Sequence, residues 1–409
     1  MNIFKKIYCR TFQFVLRIGM NFIYFPSPKL ISGEDSTTKI KDIILEKGKK
    51  NVLIVTDNNL YSLGLLNKMI VSLEEAGIKY SLYKDVVPNP TITNIEEGLK
   101  IYKENCCEAI VAFGGGSPMD TAKGIGARVA CPRKPISKMK GLLKVGRKLP
   151  LLIAVPTTAG TGSETTVAAV ISNPVTHEKY PINDPKLVPD YAVLDPNLII
   201  GLPNKITSTT GMDALTHAIE AYIGGSNTRK TKKSAKIAVK LIFENLEETY
   251  NNPTNKDARN NMLIASYHAG VAFTRAYVGY VHALAHTLGG FYGVPHGLAN
   301  SILLPVVLEE FGSKAHKKLA ELADLVSAKT LFCTKEVLTS DEVAQYMGIS
   351  KSYLYKLTMR QEIPHYKPLG KMCYFNRVEV ENWLQSNRVA TSEEINDKAN
   401  AYLMKGGVR

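Results

Sequence analysis

The 409-residue chain has a single tryptophan, six cysteines and eight histidines. Its cysteines (Cys9, Cys106, Cys107, Cys131, Cys333, Cys373) form no CxxC pair and keep no regular spacing. That excludes a zinc ribbon and a disulfide framework, and it fits a reducing cytoplasm. Long apolar runs are also missing. The stretch Thr11–Phe25, preceded by Lys5, Lys6 and Arg10, is interrupted by Arg17 and Asn21, and no small-residue cleavage site follows it. It is too short and too polar for a transmembrane segment, so residues 1–25 read as an amphipathic lead-in helix. There is no internal repeat, no low-complexity tract and no G-x-G-x-x-G fingerprint. The net charge of +14 is not concentrated in a tail. Leu331 to Arg409 holds 11 Lys/Arg against 9 Asp/Glu, and the excess lies earlier, around 134–148 and 229–240. Both runs read as solvated basic faces rather than as a nucleic-acid surface.

What is present divides the chain. From about Lys50 to Leu202, short apolar runs alternate with helical stretches. Asn51–Thr56, Tyr80–Tyr83, Ala109–Phe113 and Leu151–Val155 read as strands, and Leu63–Gly77 and Ile95–Lys103 as helices. Strand and helix in alternation imply an α/β, Rossmann-like domain with a parallel sheet. After Pro203 the strand signals stop, and five helices follow: Thr207–Tyr222, Thr231–Tyr250, Asp257–Phe273, Val278–Leu288 and Leu298–Glu310. Gly289-Gly290 is read as the break that ends the fourth. The expected order is a lead-in over 1–25, an α/β domain over 26–203, an all-α domain over 204–327, a small unit over 328–388 and a tail over 389–409. The cleft between the first two domains is the natural active site.

Half of the histidines fall in one pattern. Asp213 and His217 are four apart, so they share a helix face; His282 and His286 repeat the spacing, and His296 follows beside Pro295. One carboxylate and three imidazoles make a ligand set for a divalent transition metal, with one histidine left for proton work. Fe²⁺, Zn²⁺, Mn²⁺ and Co²⁺ all suit such a set, and affinity order alone does not choose iron.

Two loops suit a nucleotide. Gly114–Lys123 leaves a strand and opens a helix, where backbone amides and the helix N-terminus favour a pyrophosphate. Pro156–Glu164, rich in threonine and glycine, follows the next strand; it could hold phosphate, ribose or nicotinamide, or be a plain turn. Asp57 ends the first strand. It reads either as an acceptor for ribose hydroxyls, favouring NAD over NADP, or as a helix N-cap.

With these pieces in place, residues 26–327 resemble the iron-containing (group III) alcohol dehydrogenases. The resemblance rests on Gly114–Lys123, Pro156–Glu164, Gly211–Tyr222 and His282–Gly297, with Pro88–Thr91 upstream. It implies Asp213, His217, His282 and His296 as metal ligands, with iron as the metal, and His286 as a non-ligand histidine near the nicotinamide. It implies NAD contacts from Asp57, Gly115, Gly116, Ser117, Asp120, Thr157 and Thr158, and less securely from Lys179. The implied reaction interconverts a primary alcohol and its aldehyde, with the metal polarising the substrate oxygen and hydride passing to nicotinamide. The family's helical domain continues beyond the point near Val326 where the match stops, so a shortened domain with uncovered apolar helix faces is expected.

Residues 334–388 resemble the excisionase/MerR-like winged helix-turn-helix domains. The string runs from Leu338-Thr339 through Gly348-Ile349-Ser350, then Tyr353–Tyr355, Ile363–Tyr366, Tyr374-Phe375 and Trp383-Leu384. The resemblance implies DNA as a partner, read by Lys351, Ser352, Tyr353, Tyr355 and Lys356 on the second helix, with at least one of Tyr353 and Leu354 in the core. Arg360, Lys367 and Lys371 are the expected phosphate contacts. The leading expectation is a dehydrogenase with a DNA-binding unit appended. A DNA-binding protein with an inactive dehydrogenase body, or a non-functional chimera of two genes, are the alternatives. Homo-oligomerisation is left open.

Overall fold

The computed structural model describes residues 5, 7–11, 19, 23–174, 176, 178–334, 337–368, 370 and 372–386, with backbone alone over 327–334 and at 345 and 385. Of the lead-in, residues 7–11 are helical; the rest of that expectation lies largely outside the described residues, as do the 389–409 tail and Lys371. The chain divides into two compact units, Met1–Leu322 and Ala323–Arg409. Among the described residues no helix is long and apolar enough to cross a membrane.

The first unit opens on β1 (Lys29–Ser32), α1 (Ile40–Glu46), β2 (Asn51–Val55), α2 (Asn58–Ser62), α3 (Asn67–Glu75), β3 (Lys79–Tyr83), α4 (Ile92–Glu104), β4 (Ala109–Gly114) and α5 (Gly116–Ala130). It continues through β5 (Gly141–Leu142), β6 (Leu151–Pro156), β7 (Ala168–Ser172), β8 (Lys179–Asn183) and β9 (Tyr191–Leu194). Six strands form one sheet in the order β1-β9-β6-β4-β2-β3, parallel throughout. Val52, Leu53, Ile54 and Val55 are buried on both faces, as are Ile110, Val111 and Phe113. That double burial is why these strands read as unbroken apolar runs rather than alternating ones. The sheet contains β1 and β9, which the sequence reading did not expect. A side sheet, β5-β8-β7, is also new; its β7 and β8 pair antiparallel.

The helical part follows: α6 (Asn204–Ile223), α7 (Arg229–Asn251), α8 (Lys256–Ala276), α9 (Tyr280–Tyr292), α10 (His296–Phe311) and α11 (Ser313–Thr334). Helix α7 begins at a Thr228/Thr231 capping box and buries Thr231, Ser234, Ala235, Ala238, Val239, Ile242, Asn245 and Thr249, one face at helical spacing. Gly289-Gly290 does not end α9. The helix runs on to Tyr292 and stops at Gly293, whose φ of 65° is the left-handed cap that glycine adopts without a Cβ clash. Two interior glycines cost a helix only about 1 kcal/mol each relative to alanine, which neighbouring packing can offset. Helices α9 and α10 leave Leu284, Phe291, Tyr292, Ile302 and Val306 exposed, Phe291 at 81%.

The second unit comprises β10 (Val337–Thr339), α12 (Ser340–Met347), α13 (Lys351–Met359), β11 (Tyr374–Asn376) and α14 (Arg377–Ser386). It has its own core of Leu338, Val343, Ala344, Leu354, Leu357, Ile363, Phe375 and Val380. Thr339 and Glu342 make the capping bonds of α12, Ser350 caps α13 and Asn376 caps α14. Among the described residues, the arm from Ile363 to Phe375 carries a single bridge, between Tyr366 and Tyr374, and β11 pairs instead with β10. Pro364 and Pro368 lack the N–H groups that a longer ladder in that arm would need.

Candidate active site

The first unit brings the patterned residues together. Asp213 and His217 lie one turn apart on α6, His282 and His286 one turn apart on α9, and His296 begins α10. One candidate ligand atom from each of Asp213, His217 and His282 lies within 4.8 Å of the others, and all three side chains are buried. His296 joins them with Nε2 3.5 Å from Asp213 Oδ1. His286 stands outside this group: its ring centre is 4.8 Å from that of His296 and 6.5 Å from that of His282.

The charges of the cluster are mutually dependent. Burial would raise the Asp213 carboxyl, but His217, His282 and His296 hold it well below the usual carboxylate range. Burial lowers His217 to about 3, which leaves a neutral ring with a free lone pair. For His282 burial also works downward, yet Asp213 and Glu220 outweigh it and raise the ring to about 9. His286 is exposed, but the surrounding protein, then His296, His282 and Lys179, lower it.

Two residues that the sequence reading missed complete the cluster. Asn300 is fully buried and donates through Nδ2 to Asp213 Oδ1 at 2.7 Å; the same nitrogen is 3.2 Å from His282 Nε2 and 3.3 Å from His296 Nε2. Glu220 meets His282 Nδ1 at 2.6 Å. Both were within reach of periodicity: Glu220 is seven residues after Asp213, and Asn300 is four after His296.

Apart from Lys179, which opens β8 of the side sheet, the expected cofactor residues follow the carboxyl ends of β2, β4 and β6, three adjacent strands. The chain passes from β2 to β3 on one side and then to β4 on the other, so the sheet's switch point lies between β2 and β4, where open α/β sheets bind ligands. Asp57 follows β2 and caps α2: its Oδ1 accepts from the Asn59 and Leu60 amides, both at 3.0 Å. The N-cap reading is therefore observed. Gly115 caps α5, and Gly116 and Ser117 form its first turn. Asp120 accepts from Ser163 Oγ at 3.1 Å and from the Val170 amide at 3.0 Å, so both its oxygens are committed to protein. Thr157 is buried, with its amide 3.2 Å from the Gly114 carbonyl. The Thr158 hydroxyl is buried without a partner among the described residues. Lys179 Nζ donates to Asn89 Oδ1 at 2.7 Å, and its charge reaches His286 and His296. The loop after β6 joins the two halves of the site, because the Gly160 backbone lies beside the His217 ring.

In the second unit Lys351, Ser352, Tyr353, Tyr355 and Lys356 are all exposed on α13, while Leu354 is buried. Lys351 is ion-paired with Asp341.

Two family models match the chain. Iron-containing alcohol dehydrogenase covers residues 27–196, and the C-terminal region of the Fe-containing alcohol dehydrogenase family covers 207–363, which runs past residue 327. Alcohol dehydrogenase 4 of Schizosaccharomyces pombe is 41% identical over 302 residues, 74% of this chain and 71% of the relative. The crystal structure of a 1,3-propanediol oxidoreductase superposes with a TM-score of 0.72 at 35% identity, covering 84% of this chain and 88% of that one. A sulfoacetaldehyde reductase from Bifidobacterium kashiwanohense, solved with NAD+, gives a TM-score of 0.66 at 29% identity, covering 78% of this chain and 90% of that one. The chain belongs to the iron-containing alcohol dehydrogenase family.

Proposed function

We propose that the chain interconverts a primary alcohol and its aldehyde with NAD(H), using a divalent cation, iron in the first place, held by Asp213, His217, His282 and His296. The observation that carries this reading is the buried convergence of one carboxylate and two imidazoles, with a third imidazole beside them. The donor set fits such a cation. His217 Nδ1 and Asn300 Oδ1 are buried without partners among the described residues, and Asn300 Nδ2 lies within 3.3 Å of Asp213 Oδ1, His282 Nε2 and His296 Nε2 at once. When bound, the cation supplies polarisation of the substrate oxygen and the nicotinamide exchanges hydride with the carbinol carbon.

The chain's own residues supply position and protons. Gly115, Gly116 and Ser117 present amides at the α5 N-terminus, which suits the pyrophosphate. The second Asp57 oxygen remains for a ribose hydroxyl, which favours NAD. The Thr158 hydroxyl, without a partner among the described residues, lies beside Gly115, and the Lys179 charge reaches His286 and His296. His286, neutral at pH 7, can accept the alcohol proton at an imidazole nitrogen. The test is anaerobic NADH oxidation with a short aliphatic aldehyde on Fe(II)-reconstituted protein. Turnover above a His282→Ala control is expected; none from soluble, metal-loaded protein would overturn the reading.

We further propose that the helical domain is shorter than the family's and that the second unit is a helix-turn-helix that binds DNA through α13. The exposed apolar face of α9 and α10 supports the first part. Helices α12 and α13, joined at Gly348, and the exposed Lys351–Lys356 face support the second. DNA binding that weakens steeply with salt, and further on Lys356→Ala, is expected. No binding to duplex DNA at low salt would overturn it.

A further inference from the structure

Glu220 is 3% exposed, and a buried carboxylate needs a reason. It is the last of three acceptors on one face of α6, after Asp213 and His217. Its two oxygens are fully taken up by the start of α9. Oε2 accepts from the Gly279 amide at 2.8 Å and meets His282 Nδ1 at 2.6 Å; Oε1 accepts from the Val281 amide at 2.8 Å. Among the described residues, His282 is its only ion-pair partner. The two amides belong to the cap and first turn of a helix, where the backbone favours negative charge. The approach leaves no room for a side chain at Gly279: a Cβ there would lie 2.7 Å from Glu220 Oε1. Just before it Tyr277 holds a φ of 66°, a left-handed backbone that a tyrosine rarely adopts. The connection between α8 and α9 is thus bent against its own preference and delivers two amides and one imidazole to a single carboxylate.

We propose that Glu220 is the positioning residue of the metal site: by accepting the Nδ1–H of His282 it fixes that ring's tautomer and turns Nε2 toward Asp213. The ring has two nitrogens, and only the one without hydrogen can ligate. With Nδ1–H held by Glu220, Nε2 is the nitrogen left to ligate, and it faces Asp213 Oδ1 at 3.6 Å and lies 3.2 Å from Asn300 Nδ2. Partners of this kind also make the ligating nitrogen more basic. Gln at 220 keeps the shape and one acceptor oxygen but can turn an N–H toward Nδ1, which would reverse the tautomer.

This inference rests on the metal reading above, and one experiment separates the two. Co(II) is titrated into wild type, Glu220→Gln and Asp213→Ala, reading the visible d–d bands and the affinity by competition with a chelating dye. Wild type is expected to bind Co(II) and Asp213→Ala to lose it; if wild type does not bind, the metal reading itself fails. With wild type binding, Glu220→Gln is expected to bind about 10–100-fold more weakly with shifted d–d bands. An unchanged affinity and spectrum would overturn the role of Glu220. A lowered unfolding midpoint with an unchanged spectrum would likewise overturn it, since that is a structural role alone. Should Glu220→Gln fail to fold, Glu220→Asp keeps the charge and withdraws the acceptor by one methylene, and the same readings apply.

Discussion

Asn300 donates to Asp213 across 2.7 Å with both side chains buried, and the same amide nitrogen faces His282 Nε2 and His296 Nε2. Without that N–H, the buried Asp213 carboxylate loses a donor that no solvent replaces. Asn300→Ala is expected to destabilise the metal-free protein by about 1–3 kcal/mol, the range for losing a buried hydrogen bond to a charged group. Denaturant unfolding under chelator measures it. A midpoint equal to wild type would mean that the cluster tolerates Asp213 without the bond.

The glycine loop separates folding from cofactor binding. Gly114 has φ +149°, and a Cβ there would come within 2.5 Å of Pro118 Cγ. Gly114→Ala is expected to cost about 1–3 kcal/mol, through backbone strain and the forced shift of a rigid ring. At Gly116 a Cβ would meet only Thr161, at 3.6 Å, an ordinary contact. Gly116→Ala should therefore unfold at the wild-type temperature yet bind NAD+ at least tenfold more weakly, if the loop's amides approach the pyrophosphate (about 1.4 kcal/mol or more). Thermal unfolding and NAD+ titration by calorimetry distinguish the two. Undiminished NAD+ affinity in Gly116→Ala would place the pyrophosphate elsewhere.

How much of this was legible depended on periodicity and length. The buried strands β2, β4 and β6 stood out as unbroken apolar runs, and the i,i+4 spacing on α6 pointed to the Asp213 and His217 end of the Asp–His cluster. Strand β9 is only four residues long, between Asp190 and Asp195, and β1 is no longer; neither carries enough pattern to be seen. Gly289-Gly290 looked like a stop because a glycine pair weakens a helix, and only tertiary packing carries α9 on to Gly293. Glu220 and Asn300 were passed over because acidic and amide side chains on a helix are usually solvated. Spacing puts Glu220 on the helix face of Asp213 and Asn300 on that of His296, but that these faces meet depends on α9 and α10 folding back onto α6, which no local pattern encodes.

The exposed face of α9 and α10 predicts a solubility effect. Phe291 and Tyr292 are 81% and 77% exposed, and neither belongs to the Asp–His cluster. Large apolar side chains exposed on two successive helices promote association. Phe291→Ser with Tyr292→Ser is expected to raise the soluble yield and to lower the weight-average mass in light scattering, with Co(II) affinity unchanged. An unchanged mass and yield would mean that this face is not what associates.

The last prediction concerns pH. Glu164 is fully buried, and neither of its oxygens has a hydrogen-bond partner among the described residues. Burial raises its carboxyl to about 7, opposed only by its own backbone amide and by the charge of Lys123. Lys123 itself is spent on the Ser163, Thr166 and Ala168 carbonyls and the Thr166 hydroxyl, at 2.7–3.0 Å. Since the folded protein holds the Glu164 proton more tightly than the unfolded chain, its contribution to stability is complete below pH 4.5, the unfolded value, and is lost as pH rises through about 7. Glu164→Gln cannot ionise. Relative to wild type, its unfolding free energy should be flat below pH 4.5, rise across pH 4.5–7 by about 3 kcal/mol, and flatten again above. Urea unfolding of both proteins at half-unit steps of pH measures the difference. A difference that does not change with pH would mean that Glu164 is already ionised in the fold, compensated by a partner that its surroundings conceal.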